Sequence, residues 1–320
     1  MSILGGLIER ERRTSTPTWL VNMMLDGERT SSGERVNAKT AMGLAAWFGC
    51  VRNIAEDVAK LPLHVYRKVE RSRTPIEHPV GYMLNVEPND EMSAQSFRET
   101  LTAHAAGFGN GFAEIVRSGP DGAEMWPIDP TTVLMKREAG RLFYEVRVAG
   151  NAPVVLLPDQ VLHLHGLSGD GLLGHSISHL AREAVGAAMA AQKFAGAFYA
   201  NGASVGALLT HPGHLTDQAL VHLRQSWKAR HGGADQGMSM AILEEGMTYT
   251  QLGIEPEKAQ FLETRQFGVE EVCRYFRMPP HKVQHLLRAT FSNIEQQALE
   301  YVGDCLMPWL GRWEQASRLR

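Results

Sequence analysis

Between Phe112 and His165 the 320-residue chain reads as six short apolar segments divided by turn residues, with no helical stretch among them. Phe112–Arg117 and Ala123–Ile128 flank Gly119-Pro120-Asp121-Gly122, a run rich in residues that set turn dihedrals. Val133–Arg137 and Leu142–Val148 flank Glu138-Ala139-Gly140, and Val154–Leu157 and Val161–His165 flank Pro158-Asp159-Gln160. Parallel neighbours need a crossover of about a dozen residues or more between them. None fits here, so alternating βαβ folds are excluded for this half. An antiparallel meander is expected, and with helical segments on both sides the fold class is α+β.

The flanking segments carry helical spacing. With Thr40 as N-cap, Leu44, Trp47, Phe48, Val51, Ile54, Ala55 and Val58 form one apolar face up to Pro62, after which Leu63–Tyr66 read as a short strand. A second helix runs from Ser93 to about Ala106 and is stopped by Gly107, Gly109 and Gly111. Ser176–Ala200 reads as one long Ala/Gly-rich helix. Its small residues suit close packing, either between subunits or inside one chain. A smaller module follows: strand Ala207–Thr210, helix Thr216–Arg230, and strands Met238–Leu243 and Thr248–Leu252. Helical spacing resumes over Pro256–Phe276 and ends at Met278-Pro279-Pro280. In the last helix Ser292 and Glu295 match a capping box, and Pro308 is expected to kink it.

Composition narrows the function. Hydrophobic residues make up 44% and charged residues 21%, which argues against extended disorder. Lys and Arg number 32 against 35 Asp and Glu, a net charge of −3, so contact with nucleic acid has to be local or weak. Cys50, Cys273 and Cys305 lie far apart without metal-ligand spacing, and the usage fits a reducing cytoplasm. The apolar start Met1–Leu7 runs into Glu9–Arg13, the wrong order for an export signal. Ala184–Ala191 is far short of the roughly 20 residues that span a bilayer. A soluble chain with no membrane partner is expected. Residues up to about Asn37 read as a polar arm.

Two motifs invite an enzyme reading. Gly169-Asp170-Gly171-Leu172-Leu173-Gly174 is a literal G-x-G-x-x-G between a strand and a helix. A dinucleotide site also needs an acidic residue about 20 positions on, and Ala184–Thr216 contains none. Gly202-Ala203-Ser204-Val205-Gly206 matches the nucleophile elbow, but there the serine stands between strand and helix. Here the helix comes first. A serine esterase using Ser204 and a nucleotide-binding oxidoreductase are therefore the weaker alternatives. His163 and His165 share one strand face near His175 and His179, without a carboxylate or thiolate to complete a metal site. No catalytic residue, cofactor or metal is expected.

Trp47–Arg67, Glu87-Pro88-Asn89, Gly109–Ile115, Val161–His165 and Gly171–Ser176 form an ordered series of segments. It continues with Phe198–Ala203, Leu243–Met247, Met278–His281 and Ala289–Gln297. The last is the most specific, since its order, polar composition and capping box coincide. In this order, along nearly the whole chain, the segments resemble the portal proteins of tailed double-stranded-DNA bacteriophages, in the branch common among long-tailed phages and prophages.

The resemblance implies a non-enzymatic ring of about twelve subunits around a DNA channel at one capsid vertex of the virion, assembled in the host bacterial cytoplasm. It implies a portal-type subunit: an N-terminal arm (1–39), an α/β wing (40–175), and two stem helices (176–201 and 255–280). A small α/β clip (202–254), a tunnel loop (281–291) and a long kinked C-terminal helix (292–320) complete it. Relatives continue past this helix, so the crown is expected to be absent. Implied partners are double-stranded DNA passing non-specifically, the terminase large subunit, head-completion or adaptor proteins and the major capsid protein. Lys282, His285, Arg288 and Thr290 become candidate channel residues, and Gly186, Ala187, Ala190 and Gly196 candidates for packing between stems. The weak net charge suits this role, because many cations per subunit would build a counterion-release affinity that brakes moving DNA.

Overall fold

The first long helix owes its place to one apolar stripe. A computed structural model describes residues 28–70, 72–117, 123–200, 207–213, 215–231, 247–251, 258–286 and 291–318. In it a short helix, α1 (Ala38–Ala41), precedes α2 (Ala45–Ala59). The expected single helix from Thr40 is thus divided, and Thr40 is not its cap. Asn37 caps α1, accepting from Thr40 N at 2.8 Å while Thr40 Oγ1 accepts from Asn37 N at 2.9 Å. Trp47, Cys50, Val51, Ile54, Ala55 and Val58 of α2 are buried, each large side chain contributing about 1.5–3 kcal/mol. Phe48, assigned to the same stripe by spacing, is exposed.

Beyond Leu61 the chain runs without regular structure to Val65, and the short strand falls later than expected, as β1 (Tyr66–Val69), paired with β2 (Ser72–Pro75). Another two-residue pairing, Glu28–Arg29 with Arg35–Val36, precedes α1. Helix α3 (Pro79–Asn85) leads to α4 (Ala94–Phe108), whose first turn is capped by Ser93 through Ser96 N at 3.2 Å. Helix α4 buries Phe97, Leu101, Ala105 and Ala106 against α2.

The six expected strands are present, but not as one meander. β3 (Asn110–Arg117) lies between β4 (Ala123–Ile128) and β8 (Val161–His165), all antiparallel, with Phe112 opposite both Ile128 and His163. β5 (Val133–Glu138), β6 (Arg141–Val146) and β7 (Val154–Leu156) make a second antiparallel sheet. The division comes at Asp129-Pro130, where the Asp129 carboxylate accepts from Thr131 N at 2.9 Å and turns the chain out of β4. Phe112, Val133, Met135, Tyr144, Val146, Leu156 and Val161 form a core drawn from both sheets.

One close approach fixes this arrangement. Gly109 ends α4 at φ +89, a region glycine enters without steric cost. A Cβ on Gly109 would lie 2.4 Å from His175 O, and one on Gly174 would lie 2.0 Å from Gly109 O. Asn110, buried beside them, accepts from Gly174 N at 2.8 Å and donates to Gly174 O at 3.0 Å. The G-N-G turn and the glycine loop 65 residues later thus interlock backbone to backbone.

After Gly174, the expected unbroken helix from Ser176 is instead α5 (Ile177–Leu180) and α6 (Arg182–Ala200), broken at Ala181. Two compact units result. One takes in the residues up to Gly186 and from Val269 onward, and the other runs from Ala187 to Gly268. In the second, β9 (Ala207–Thr210) pairs antiparallel with β10 (Thr248–Gln251), and α7 (Asp217–His231) lies between them in sequence. The strand expected at Met238–Leu243 falls outside the described residues. Helix α8 (Lys258–Phe276) meets α6 within this unit at Phe194 and Phe261, ring centroids 5.8 Å apart.

The C-terminal segment returns to the first unit. Helix α9 (Phe291–Glu300) already contains Ser292, so that residue is not its N-cap. A π-helical stretch, Tyr301–Leu306, then leads into α10 (Met307–Ala316). The expected effect of Pro308 takes this form: proline cannot donate to the carbonyl four residues back, and a widened turn just before it removes that demand. Trp313 of α10 is buried and donates to Thr102 Oγ1 of α4 at 2.9 Å.

The Gly109–Gly174 contact predicts a graded response to added methyls. Gly174→Ala should destabilise the protein by about 3 kcal/mol or more, since backbone must move. Gly303→Ala, where a Cβ meets nothing within 4 Å, should be neutral or slightly stabilising. Denaturant titration compares the two.

Candidate functional site

The candidate channel residues enter on a 3-10 turn, Pro280–Val283, which follows the close of α8. Asn53 of α2 donates to Lys282 O at 2.9 Å. The Lys282 ammonium lies 3.6 Å from Asp57 Oδ2 and 4.3 Å from the centroid of the Tyr301 ring. Tyr301 donates to Asp57 Oδ2 at 2.8 Å, and Lys60 contacts the other carboxylate oxygen. Burial alone would raise Asp57, but hydrogen bonds from Lys60 and Tyr301 and the charges of Lys282 and Lys60 outweigh it, holding the carboxyl below the usual range. Burial, with the Asp57 carboxylate beside it, pushes the Tyr301 phenol up.

His285, nearly enclosed, lies 3.7 Å from Glu270 Oε1, and Arg274 lies 3.6 Å from the same carboxylate. Lys282 is therefore tied to α2 and the π-helical stretch of its own chain, whereas the buried Nε2 of His285 has no hydrogen-bond partner among the described residues. Arg288 and Thr290 lie outside the described residues. So does Ser204.

The stem candidates fall into different environments. Gly186 is buried, and a Cβ there would lie 2.5 Å from Thr30 Oγ1 of the same chain, so its small size serves an internal contact. Ala187 is exposed, Ala190 half-buried, and Gly196 exposed with nothing within 4 Å of a built Cβ.

The enzyme-like motifs have structural occupations. In the glycine loop, the Asp170 carboxylate accepts from Leu172 N at 2.9 Å, Leu173 N at 2.8 Å and Ser168 Oγ at 2.8 Å. An anion already fills the amide donors that a phosphate would need. These bonds overcome the effect of burial and keep Asp170 ionised below the ordinary carboxylate range. His163 stacks on Phe112 with centroids 4.5 Å apart, and its Nε2 lies 3.0 Å from Asn110 Oδ1. That oxygen already accepts from Gly174 N, so Nε2 carries the proton and Nδ1 faces the Tyr144 hydroxyl at 3.4 Å. Burial, then the nearby His165, drives His163 down to about 3. Among the described residues no group of His, Cys, Asp and Glu could hold a metal ion, and no helix is long and apolar enough to cross a membrane.

Sequence reasoning missed Asn53 and Asp57, one turn apart on α2, and Tyr301, because the partners Lys282 and Tyr301 lie more than 200 residues on and reach them only by packing. It also missed the role of Asn110, although the G-N-G run containing it was among the motifs that carried the resemblance.

A family model described as phage portal protein matches residues 45–319. The probable portal protein of Streptomyces phage phiC31 is 34% identical over 303 residues, covering 90% of this chain and 66% of that protein. The portal protein of Enterobacteria phage HK97 is 29% identical over 286 residues, covering 87% of this chain and 67% of that protein. The chain thus spans about two thirds of the length of the curated relatives it matches. Among solved structures, a chain in the neck of a native gene transfer agent particle, computed with C12 symmetry, aligns with TM-score 0.63 at 20% identity. That alignment covers 94% of this chain and 79% of the other, and establishes likeness of fold.

Two measurements test these placements. His163 titrates near 3 when folded against about 6.5 unfolded. Stability should be whole above pH 6.5 and fall by about 1.4 kcal/mol per unit below it, because only the unfolded chain takes up the proton. His163→Phe should lose this slope between about pH 7.5 and 5 in denaturant titrations. Lys282→Glu puts a carboxylate beside Asp57 and should lower stability by about 1–3 kcal/mol in the same assay.

Proposed function

The chain belongs to the phage portal protein family, and we propose that it assembles into a closed ring whose axial channel passes double-stranded DNA during packaging and ejection. The observation that carries this reading is the family match over residues 45–319. It is supported by the similar fold found in a neck computed with C12 symmetry, from which a ring of about twelve subunits follows by analogy. The alternatives, hydrolysis by Ser204 or hydride transfer at Gly169–Gly174, find no support in that family, and the glycine loop is filled by Asp170.

In this reading residues 40–175 with 292–320 form the wing and residues 1–39 the arm. Residues 176–201 and 255–280 form the stem, and 202–254 the clip. The compact unit Ala187–Gly268 supports the last two, since it holds the clip and the adjoining parts of both stem helices. The clip would meet the terminase large subunit and later the head-completion or adaptor proteins, while the wing would meet the major capsid protein. The working site is the virion, reached by assembly in the bacterial cytoplasm.

Residues 281–291 are the tunnel loop. Its base is held by Lys282 inside the subunit, and His285 is largely enclosed beside Glu270, which leaves Arg288 as the cation of the trio for brief, sequence-independent contact with DNA, beside Thr290. A single cation per subunit gives a shallow electrostatic hold, and DNA can keep moving.

The ring is heterologous, each subunit offering two different faces to its neighbours. On α6 the candidate contact is Ala187, Ala190 and Gly196, of which Ala187 and Gly196 are exposed in the single chain, while Gly186 is buried against Thr30. Ala187→Leu should leave the folded subunit intact and abolish rings on size-exclusion chromatography with light scattering. Rings of unchanged size would contradict the stem assignment. Arg288→Glu should preserve rings and reduce packaged DNA in a phage complementation assay. Packaging at the wild-type level would remove Arg288 from the channel.

A further inference from the structure

The β1–β2 hairpin carries a concentration of positive charge that makes no ion pair among the described residues. Residues 66–75 hold Arg67, Lys68, Arg71 and Arg73 against one acid, Glu70, in a chain whose net charge is −3. Arg71 lies outside the described residues. All eight residues of the two strands are exposed, so the hairpin buries no core side chain. Register puts Lys68 directly opposite Arg73, a like-charged pair that opposes strand pairing. Glu70 stands at φ +52, a region that favours glycine or asparagine. Among the described residues Arg67, Lys68 and Arg73 form no ion pair. A hairpin that works against its own stability and packs against little is kept for what its side chains meet outside the molecule.

Alternation along the strands places Lys68 and Arg73 on one face of the ribbon, with Tyr66, and Arg67 on the other, opposite Thr74. Cations thus stand on both faces. A folded acidic protein would present one surface and would be gripped through a buried aromatic or apolar anchor, whereas Tyr66 and Val69 here lie on opposite faces. A partner with anions on two walls fits better. The major groove of duplex DNA, about 12 Å wide, admits a two-stranded ribbon between two rows of phosphates.

We propose that the β1–β2 hairpin is a second DNA-binding element, distinct from the channel loop, which enters the major groove and contacts phosphates of both walls through Arg67, Lys68 and Arg73. Binding is independent of sequence, because long flexible cations meet phosphates and not base edges. The inference goes beyond the portal reading and does not need a ring.

Fluorescence polarisation with a short labelled duplex of random sequence tests it, on samples matched for assembly state. Three phosphate contacts per unassembled chain give a slope of about −3 in log affinity against log salt. Lys68→Glu with Arg73→Glu should weaken binding tenfold or more and flatten that slope by about 2. Arg67→Glu alone should flatten it by about 1. Arg318→Glu, an exposed cation beyond the end of α10, should change neither, and unaltered melting should accompany all of these variants. No binding at about 50 mM salt, or hairpin variants that bind like wild type, would overturn the proposal. Capture of poly-glutamate without capture of duplex would overturn it too, by transferring the surface to acidic polypeptides. Rings that persist while binding is absent would sink this inference alone, and binding that persists without rings would sink the portal reading alone.

Discussion

Where the end of α4 meets the loop before α5, backbone touches backbone with no room for a side chain. A Cβ on Gly174 would stand 2.0 Å from Gly109 O, and Asn110 replaces the missing side-chain packing with two hydrogen bonds to Gly174. Much of the first unit follows from this contact. It sets where β3 begins and so which residues of β3 face α4. It brings β8 back beside β3, and it delivers the chain to α5 and α6. Because the contact is made by main chain, it tolerates little drift, and the packing around His163, Phe112 and Tyr144 inherits that precision.

A second constraint acts at the other side of α2. Asp57 gathers Lys60, Lys282 and Tyr301 around one carboxylate, and Trp47 meets Phe276 edge to face at 4.7 Å. These contacts tie the end of α8 and the turn after it to the helix that opens the first unit. A loop leaving such a base starts from a fixed point. In the proposed ring, such a base would set the loops of neighbouring subunits at one radius. Pairing Lys282 with Asp57 also limits the positive charge at the base of this loop.

The strands were largely legible in the sequence because their turns are chemically explicit, and Ala123–Ile128 and Val161–His165 match to the residue. Their partners were not. Hairpin spacing gives neighbours in sequence, and it took the Asp129-Pro130 turn and the Gly109–Gly174 contact to send β8 back to β3 instead of to β7. Helix ends misled at Asn37, whose side chain caps α1, and at Ala181, where the backbone breaks a continuous helical pattern. Pro308 announced a distortion without saying that a π-helical stretch would absorb it. The family was readable because its motifs keep their order, and the structure gives two of them a joint reason, since the G-N-G turn and the glycine loop touch. Of the candidate residues, Gly186 needs its small size for a contact with Thr30 of the same chain. Periodicity cannot tell a neighbour in the fold from a neighbour in an assembly.

The central claim is that copies of this chain close around an axial opening wide enough for duplex DNA. Cryo-electron microscopy of purified particles viewed along the symmetry axis tests it most directly. The account predicts closed rings of about twelve subunits with a continuous central hole. Compact single molecules at every concentration, or closed assemblies with no axial opening, would contradict it.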